Sequence, residues 1–256
     1  AVNQLNRLNN LDQLFYAVFD PEVQRAFWPG NVKRYRLDIA NEDIYDVNNN
    51  AAVDASTSFF KPTAKSWWSP AVDGEKAREG GAASVLPDPA TRKMFTYTGS
   101  LPSSSGSLTA INTTSTPFIT AGKALMGITD NNEFENLINW YRGYQIDDVK
   151  SGLVTVDATT IRRKQIGGVL HSRPILVNYG FTGTQAAAAS DPDKQDNVLY
   201  FSTLEGTLHA VDAKTGIENF AFIPGEKLAL LPSLFANPTQ DLPEFGARLI
   251  GADEAG

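Results

Sequence analysis

The sequence predicts a mainly β fold that contains an N-terminal helix and one inserted helix near residues 131–142. The main observation is Val198–Pro224, where three β-rich runs follow one another and are separated by short polar turns. Other short runs rich in β-branched and aromatic residues have the same character, and loops rich in Ser, Gly or Asn separate them. With 42% hydrophobic residues among 256, the chain has enough apolar surface for a packed core.

Composition and charge exclude several classes of function. The 29 acidic and 22 basic residues give a net charge of −7, which disfavours nonspecific binding to nucleic acid or to an anionic membrane surface. The absence of cysteine excludes disulfide bonds, thiolate metal sites and thiol catalysis. No apolar run of about 18 residues is present, so no membrane-spanning helix is expected. The chain begins without a secretion-signal pattern, and we expect a mature or trimmed piece of a larger protein.

The first 40 residues contain two predicted elements. Apolar residues recur with helical spacing from Leu5 to Val18 and a proline follows, so the pattern predicts a helix over residues 1–20. Val32–Ile39 alternates basic and apolar residues, which predicts a half-exposed strand. Beyond this strand the pattern weakens over residues 40–81.

The middle of the chain contains a predicted strand, a loop and the clearest helix. Arg92–Thr98 is a short β-rich run, and Ser100–Ser107 is a low-complexity Ser/Gly/Pro loop. Residues 131–142 place apolar side chains on one helical face. Asp130 or its neighbour is the expected N-cap of this helix, and Gly143 is its expected end.

The region after residue 165 predicts a series of strands. They are Val169–Tyr179, which is either a strand pair or one long bent strand, then Val198–Thr203, Thr207–Val211 and Ile217–Ile223. In the turn before the last strand, we expect Asp212 to act as a cap and Gly216 to adopt a positive φ. We find no repeat of fixed period along the chain.

Four residues around this last turn match a known docking pattern. Ala210, Asp212, Gly216 and Phe220 occupy the positions of the A-x-D-x-x-x-G-x-x-x-W pattern of quinoprotein-type propellers, with Phe in place of Trp. The similarity implies that the aromatic ring packs between neighbouring blades. Such a pattern is typical of an architecture and indicates little about catalysis.

A set of short motifs runs in one order along nearly the whole chain. They are VNQ (2–4), LFYAVF (14–19), WPGNVKRY (28–35), WWS (67–69), DG (73–74), GGAA (80–83), RKMFTYT (92–98), LINWYRG (137–143), VLHSRP (169–174), VNYG (177–180), GTLHAVD (206–212) and FIP (222–224). In this order the chain resembles the PilY family, whose members are associated with the tip of type IV pili. The shared order is more specific than any single motif.

The resemblance implies a quinoprotein-like β-propeller of seven blades, of which this chain would supply the N-terminal part. The expected fold is therefore a partial propeller with an incomplete ring. Residues 1–165 would form a first blade region with long insertions, and residues 166–256 the next blade and the start of the following one. We expect the open edges of this piece to be covered by the remaining blades or by another protein.

The resemblance also implies where such a protein acts. Members of the family are exported to the bacterial cell surface, at the pilus tip or in association with the outer membrane. They serve in pilus assembly, twitching motility and cell adhesion as part of this fimbrial appendage. The expected partners are minor pilins of the tip, the remaining blades of the parent protein, and a host or abiotic surface.

Several PilY proteins bind calcium, but this chain departs from the family at that point. The acidic Asp-x-Asp-x-Asp loop expected beyond the FIP strand is absent, and residues 244–256 do not match the segment expected there. The best hard-cation candidates are Asp191, Asp193 and Asp196, because closely spaced carboxylates suit calcium. They lack the glycine and the bidentate glutamate of an EF-hand loop, so a solvated loop is the alternative interpretation. The sequence establishes no cofactor, and calcium binding is the one cofactor prediction that it leaves open.

No residue is predicted to be catalytic or to bind an organic cofactor, and the chain is not expected to be an enzyme. His171 and His209 are the only histidines, and both lie in strand-like runs, which favours structural roles over a catalytic site. The four tryptophans are expected in the core rather than in a sugar-binding site. The alternative class is a quinone-dependent dehydrogenase, and the absence of cysteine and the incomplete ring count against it.

Overall fold

The computed structural model describes residues 7–22, 25–97, 108–170 and 172–237. Within these ranges the protein is mainly β, with two sheets and a few short helices, and the sheets do not close into a ring. The strands are β1 Arg7–Asn10, β2 Gln13–Phe19, β3 Pro29–Asp38, β4 Asp43–Tyr45, β5 Met94–Tyr97, β6 Leu108–Ala110, β7 Ile166–Gly167, β8 Ile175–Phe181, β9 Gln195–Ser202, β10 Leu208–Asp212 and β11 Glu218–Pro224. The helices are α1 Gly81–Ser84, α2 Thr116–Met126, α3 Asn131–Arg142, α4 Gln185–Ser190 and α5 Leu231–Ala236, and 3₁₀ turns cover Pro192–Lys194 and Gly225–Leu230.

The first sheet, sheet I, has the antiparallel order β1-β2-β3-β4, and β7 pairs with the start of β3. The predicted helix over residues 1–20 is therefore wrong for the described residues, which form a hairpin. Leu11, with a φ of 49°, lies in the turn of this hairpin. The apolar run that follows is buried along β2 on both faces of the sheet. A continuous apolar run of this kind does not distinguish a buried strand from a helix.

Strand β3 is present as predicted, but it is buried rather than half-exposed. Two of its basic side chains, Lys33 and Arg34, lie in the interior because each has polar partners there, whereas Arg36 is half-buried. The Lys33 Nζ atom lies 2.9 Å from the Asp73 carboxylate and donates to the carbonyl oxygens of Asp73 and Gly74 at 3.1 and 3.0 Å. Burial lowers the pKa of Lys33, while the charge of Asp73 opposes this. These three bonds satisfy all three ammonium protons.

The second sheet, sheet II, has the order β6-β5-β11-β10-β9-β8. Strands β8 to β11 form an antiparallel meander of four consecutive strands, while β5 pairs with β11 in parallel. The three strands predicted between residues 198 and 224 are confirmed. In the turn between β10 and β11, the Asp212 Oδ1 atom accepts a hydrogen bond from the Thr215 amide at 2.6 Å, and Gly216 has a φ of 75°. Both turn roles predicted from the sequence are confirmed.

Helix α3 matches the predicted helix at residues 131–142. The Asp130 side chain accepts a hydrogen bond from the Glu133 amide at 2.8 Å, and Gly143 ends the helix with a φ of 118°. With α2, α5 and the 3₁₀ turn before α5, helix α3 packs on one face of β5 and β11. These helices cover one end of sheet II.

The rest of that face of sheet II is covered by sheet I. Phe15, Ala17 and Val32 of sheet I share one buried cluster with Leu199, Phe201 and Val211 of sheet II. The other face of sheet I is covered by the chain between β4 and α1, whose buried apolar residues include Ala52, Phe60, Ala64 and Ala77. The two sheets therefore pack face to face. None of the helices in the described ranges has the length and apolar character needed to cross a membrane.

Candidate docking interface between the sheets

The contact that joins the two sheets most specifically is Trp68 against the turn at Gly216. The Trp68 Nε1 atom donates a hydrogen bond to the Lys214 carbonyl oxygen at 3.0 Å. A Cβ atom built on Gly216 would lie less than 3.0 Å from three ring atoms of Trp68. Because Gly216 also has a φ of 75°, glycine is required at this position both by the backbone and by the ring.

Trp68 itself is held from the side of sheet I. It has a φ of 71°, a conformation that costs a bulky residue about 1–3 kcal/mol. The Ser84 hydroxyl donates to the Trp68 carbonyl oxygen at 2.9 Å, and the indole stacks on Phe15 with ring centroids 6.1 Å apart. The strained backbone thus presents the indole to the turn of the other sheet.

Arg34 adds a second contact from sheet I to the same turn. Its Nη1 atom donates to the carbonyl oxygens of Ala213 and Lys214 at 3.4 and 3.3 Å, and its Nη2 atom lies 2.9 Å from Asp193. The guanidinium also lies 5.5 Å from the ring centre of Trp67. Arg34 of the neighbouring sheet thus donates hydrogen bonds to carbonyl oxygens that the turn itself leaves unpaired.

The same turn occurs a second time in the chain, which the sequence reading missed. Ala52–Ser58 (AVDASTS) and Ala210–Gly216 (AVDAKTG) are identical at five of seven positions. The amide of each Asp donates to the carbonyl five residues later at 2.9 Å, and its carbonyl accepts from the amide four residues later at 2.8 Å. Ser58 has a φ of 61° where Gly216 has 75°. Because Ser58 stands where the docking pattern has glycine, this repeat was not recognised from the sequence.

The face of sheet II that points away from sheet I is the second feature of the interface; we call it the outer face. Strand register places Phe220, Ala210, Tyr200 and Ile175 in one row across this face. Tyr200 and Phe220 meet edge to face with centroids 6.3 Å apart, and Ile175 is 61% exposed. The aromatic residue of the docking pattern, Phe220, therefore lies half-buried in this row, next to Tyr200.

A buried cluster of charged residues lies under the opposite face of sheet II. Arg92 donates to both carboxylate oxygens of Glu218, at 2.6 and 2.9 Å, and His209 Nδ1 lies 2.7 Å from Glu218 Oε2. Burial alone would raise the pKa of Glu218, but the charge and hydrogen bonds of Arg92, together with His209, outweigh it and lower the pKa to about 2. His209 also stacks on Phe201 with ring centroids 5.2 Å apart.

Glu205 and Arg163 extend this cluster. Burial raises the pKa of Glu205, whose carboxylate lies against the backbone of Gly167, and burial lowers the pKa of Arg163 to about 10. The Arg163 Nε atom is buried without a hydrogen-bond partner beside a cavity of about 30 Å³. A space of this size holds about one water molecule. Arg163 and Arg92 also donate hydrogen bonds to carbonyl oxygens of α3, those of Trp140 at 2.9 Å and Arg142 at 3.3 Å, so the cluster joins α3 to sheet II.

The three aspartates predicted as calcium ligands have different interactions in the structure. Asp191 Oδ1 accepts from the Asp193 amide at 3.0 Å and caps a 3₁₀ turn, whereas Asp193 pairs with Arg34 and accepts from Gln13 Nε2 at 3.2 Å. Asp196 is exposed on β9. In the ranges that the structure covers, no group of three or more His, Asp or Glu side chains is arranged to hold a metal ion. Calcium binding by these aspartates stays an untested prediction.

The remaining residues singled out from the sequence serve packing. Trp28 stacks on Phe19 at 6.0 Å between centroids, and Trp140 meets Phe235 edge to face at 5.2 Å. His171 and the loop Ser100–Ser107 lie outside the described residues.

Comparison with known proteins supports a pilus connection for part of the chain. In an alignment over 94 residues that covers 32% of this chain, it is 30% identical to the type IV pilus biogenesis factor PilY1 of Pseudomonas aeruginosa (strain UCBPP-PA14). The matched part spans only 8% of the length of that protein. No family model matches the chain, and no solved structure matches it.

Proposed function

We propose that this chain forms two neighbouring blades of a quinoprotein-like β-propeller in a type IV pilus-associated protein. The observation that carries the proposal is the face-to-face packing of two sheets through Trp68 on Gly216, in a chain similar to a pilus biogenesis factor. Propeller blades are four-stranded sheets arranged radially, each packed on its neighbours. The meander β8–β11 has the strand number and connectivity of one blade.

The proposed role is structural and adhesive rather than catalytic. The protein would be exported to the cell surface and act near the pilus tip in pilus assembly, motility and adhesion. Its partners would be minor pilins, further blades, or the surface to which the pilus attaches. We do not propose a quinone enzyme, because the chain has no cysteine for the vicinal disulfide expected of that class.

Loss of the sheet-to-sheet contact is expected to abolish pilus function in the bacterium that makes the protein. The chromosomal variant Gly216→Val places a branched side chain against the Trp68 ring, so surface piliation, twitching motility and attachment should all fall to the level of a deletion of the whole segment. Sheared surface pili, motility zones and attached cells are counted for each strain. A matched control is Gly183→Ala, because Gly183 also has a positive φ but has nothing near its Cβ position.

The deletion strain decides whether the pilus role stands. Wild-type piliation, motility and attachment in the absence of the segment would contradict the proposal. Immunoblots of each variant separate loss of function from loss of the protein.

A further inference from the structure

An open groove beside the start of β5 is lined by positive and neutral side chains. It lies between that strand, the chain that leaves β6, and α3. Its volume of about 530 Å³ is within the range of roughly 300–1,000 Å³ that is typical of small-molecule sites. Arg92, Lys93 and Arg142 line the groove, and no Asp or Glu of the described residues does. The whole chain has a net charge of −7, so the groove is a site of positive potential in an acidic protein.

Two of these three cations have no carboxylate partner. The charge of Arg92 is neutralised by Glu218. Lys93 is exposed and makes no ion pair within the described part of the chain. The Arg142 guanidinium is buried, yet among the described residues it donates hydrogen bonds only to carbonyl oxygens, those of Pro89, Ala90, Arg92 and Ile111. Burial lowers the pKa of Arg142 and the charge of Arg92 lowers it further, as expected for a cation that lacks a counter-ion.

Asn139 of α3 brings an unused amide group to the same groove. Its side chain is 5% exposed and makes no hydrogen bond with the rest of the described protein. An amide that is buried to this degree is normally hydrogen-bonded, because removing it from water without a partner costs free energy. Because Asn139 lines the groove, a molecule bound there can supply the missing partner.

These groups suit a carboxylate that is attached to an apolar group. The Lys93 ammonium and the Asn139 amide are free donors, and a carboxylate has two oxygens that can accept from them. Arg142 adds positive charge, although its Nη atoms already donate to carbonyl oxygens. Apolar side chains such as Phe95 and Val156 form another part of the lining, which favours an organic anion over an inorganic ion.

We propose that this groove binds the carboxylate of an organic anion, with Lys93 and Asn139 as its hydrogen-bond donors and Arg142 as the buried charge beside it. The apolar part of the ligand would lie on Phe95 and Val156. The source of the carboxylate is either a free organic acid or the C-terminal end of a polypeptide. This inference goes beyond the pilus role and does not depend on it.

Titration of the purified chain with two carboxylates and their uncharged amides, followed by NMR, tests the proposal. Hexanoate stands for a free acid, and N-acetyl-leucine stands for the end of a polypeptide. At least one of them is expected to bind about tenfold or more tightly than its own amide, and added salt should reduce the difference. Binding of hexanoate alone or of N-acetyl-leucine alone identifies the source. Binding of both shows that the carboxylate is the group that is recognised.

Variants of two groove residues assign the donors. Lys93→Met should remove most of the preference for the carboxylate. Lys214→Met is the matched control, because Lys214 is an exposed lysine between β10 and β11 that does not line the groove. Asn139→Ala should weaken carboxylate binding by about threefold or more. Its melting temperature should nevertheless be equal or higher, since the amide has no partner to lose and alanine favours a helix.

Three results would overturn the proposal. The first is that neither carboxylate binds more tightly than its amide. The second is that inorganic phosphate binds more tightly than both carboxylates. The third is that Lys93→Met leaves the preference for the carboxylate unchanged. None of these results bears on the pilus role, since that role is tested by deletion of the segment in cells.

Discussion

Replacement of Gly216 by alanine is expected to lower the free energy of unfolding by about 2–5 kcal/mol. The added Cβ would lie less than 3.0 Å from the Trp68 ring, and forcing an extra methyl group into a packed contact costs about 1–3 kcal/mol. The φ of 75° adds about 1–2 kcal/mol, because L-residues with side chains disfavour this region. The added Cβ atom causes both the backbone strain and the contact with the Trp68 ring, so the two free-energy costs add.

Chemical denaturation of the purified chain measures this effect. Gly183→Ala is the matched control, since Gly183 has a φ of 80° and open space around its Cβ position. It should cost only the backbone part, about 1–2 kcal/mol. Equal costs at the two glycines would show that the Trp68 ring does not lie on Gly216.

Replacement of Glu218 by glutamine is expected to destabilise the fold by about 3–5 kcal/mol. The substitution removes the charge that Arg92 and His209 share and leaves the Arg92 guanidinium buried without its counter-ion. Glu79→Gln is the matched control, because its ion pair with Lys76 is exposed and should contribute less than about 1 kcal/mol. A small cost at Glu218, similar to that at Glu79, would contradict the role of the ionic cluster.

The same carboxylate gives the fold a defined acid sensitivity. The pKa of Glu218 is lowered from 4.5 to about 2 in the folded state, so its stabilisation is complete above pH 4.5 and is lost as the pH falls towards 2. The loss is about 3 kcal/mol for this group. Glu205 acts in the opposite direction, because burial raises its pKa and favours its protonated form in the folded state. Urea unfolding at several pH values should show that Glu218→Gln flattens the acid loss. An unchanged acid slope in the variant would contradict the assignment.

Local sequence patterns predicted the meander and α3 because their signals are short-range. The turn from Asp212 to Gly216 contains its own cap and its own positive-φ residue, and helix α3 contains both of its ends. The N-terminal hairpin could not be predicted in the same way. Its strand β2 is buried on both faces between other elements, which removes the alternation that identifies a strand.

The docking site was only partly predictable, because its halves are far apart in sequence. The turn at Gly216 was recognised and Trp68 was expected in the core, but the contact between them was not predicted, since Trp68 follows Asp54 by 14 residues where the pattern places an aromatic at eight. The ionic cluster brings together Arg92, Glu205 and Glu218 from separate strands and turns, and no local pattern joins them. The repeat at Ala52–Ser58 was detectable by aligning the two AVDA motifs.

The most direct test of the account is a double-mutant cycle between Trp68→Leu and Gly216→Ala. If the indole lies on Gly216, the Trp68→Leu variant no longer has the ring that excludes a side chain at residue 216. Gly216→Ala in the Trp68→Leu background should therefore cost only about 1–2 kcal/mol of unfolding free energy. The predicted coupling energy is then about 2 kcal/mol. Costs that add to within about 0.5 kcal/mol would contradict docking of the two sheets through this pair.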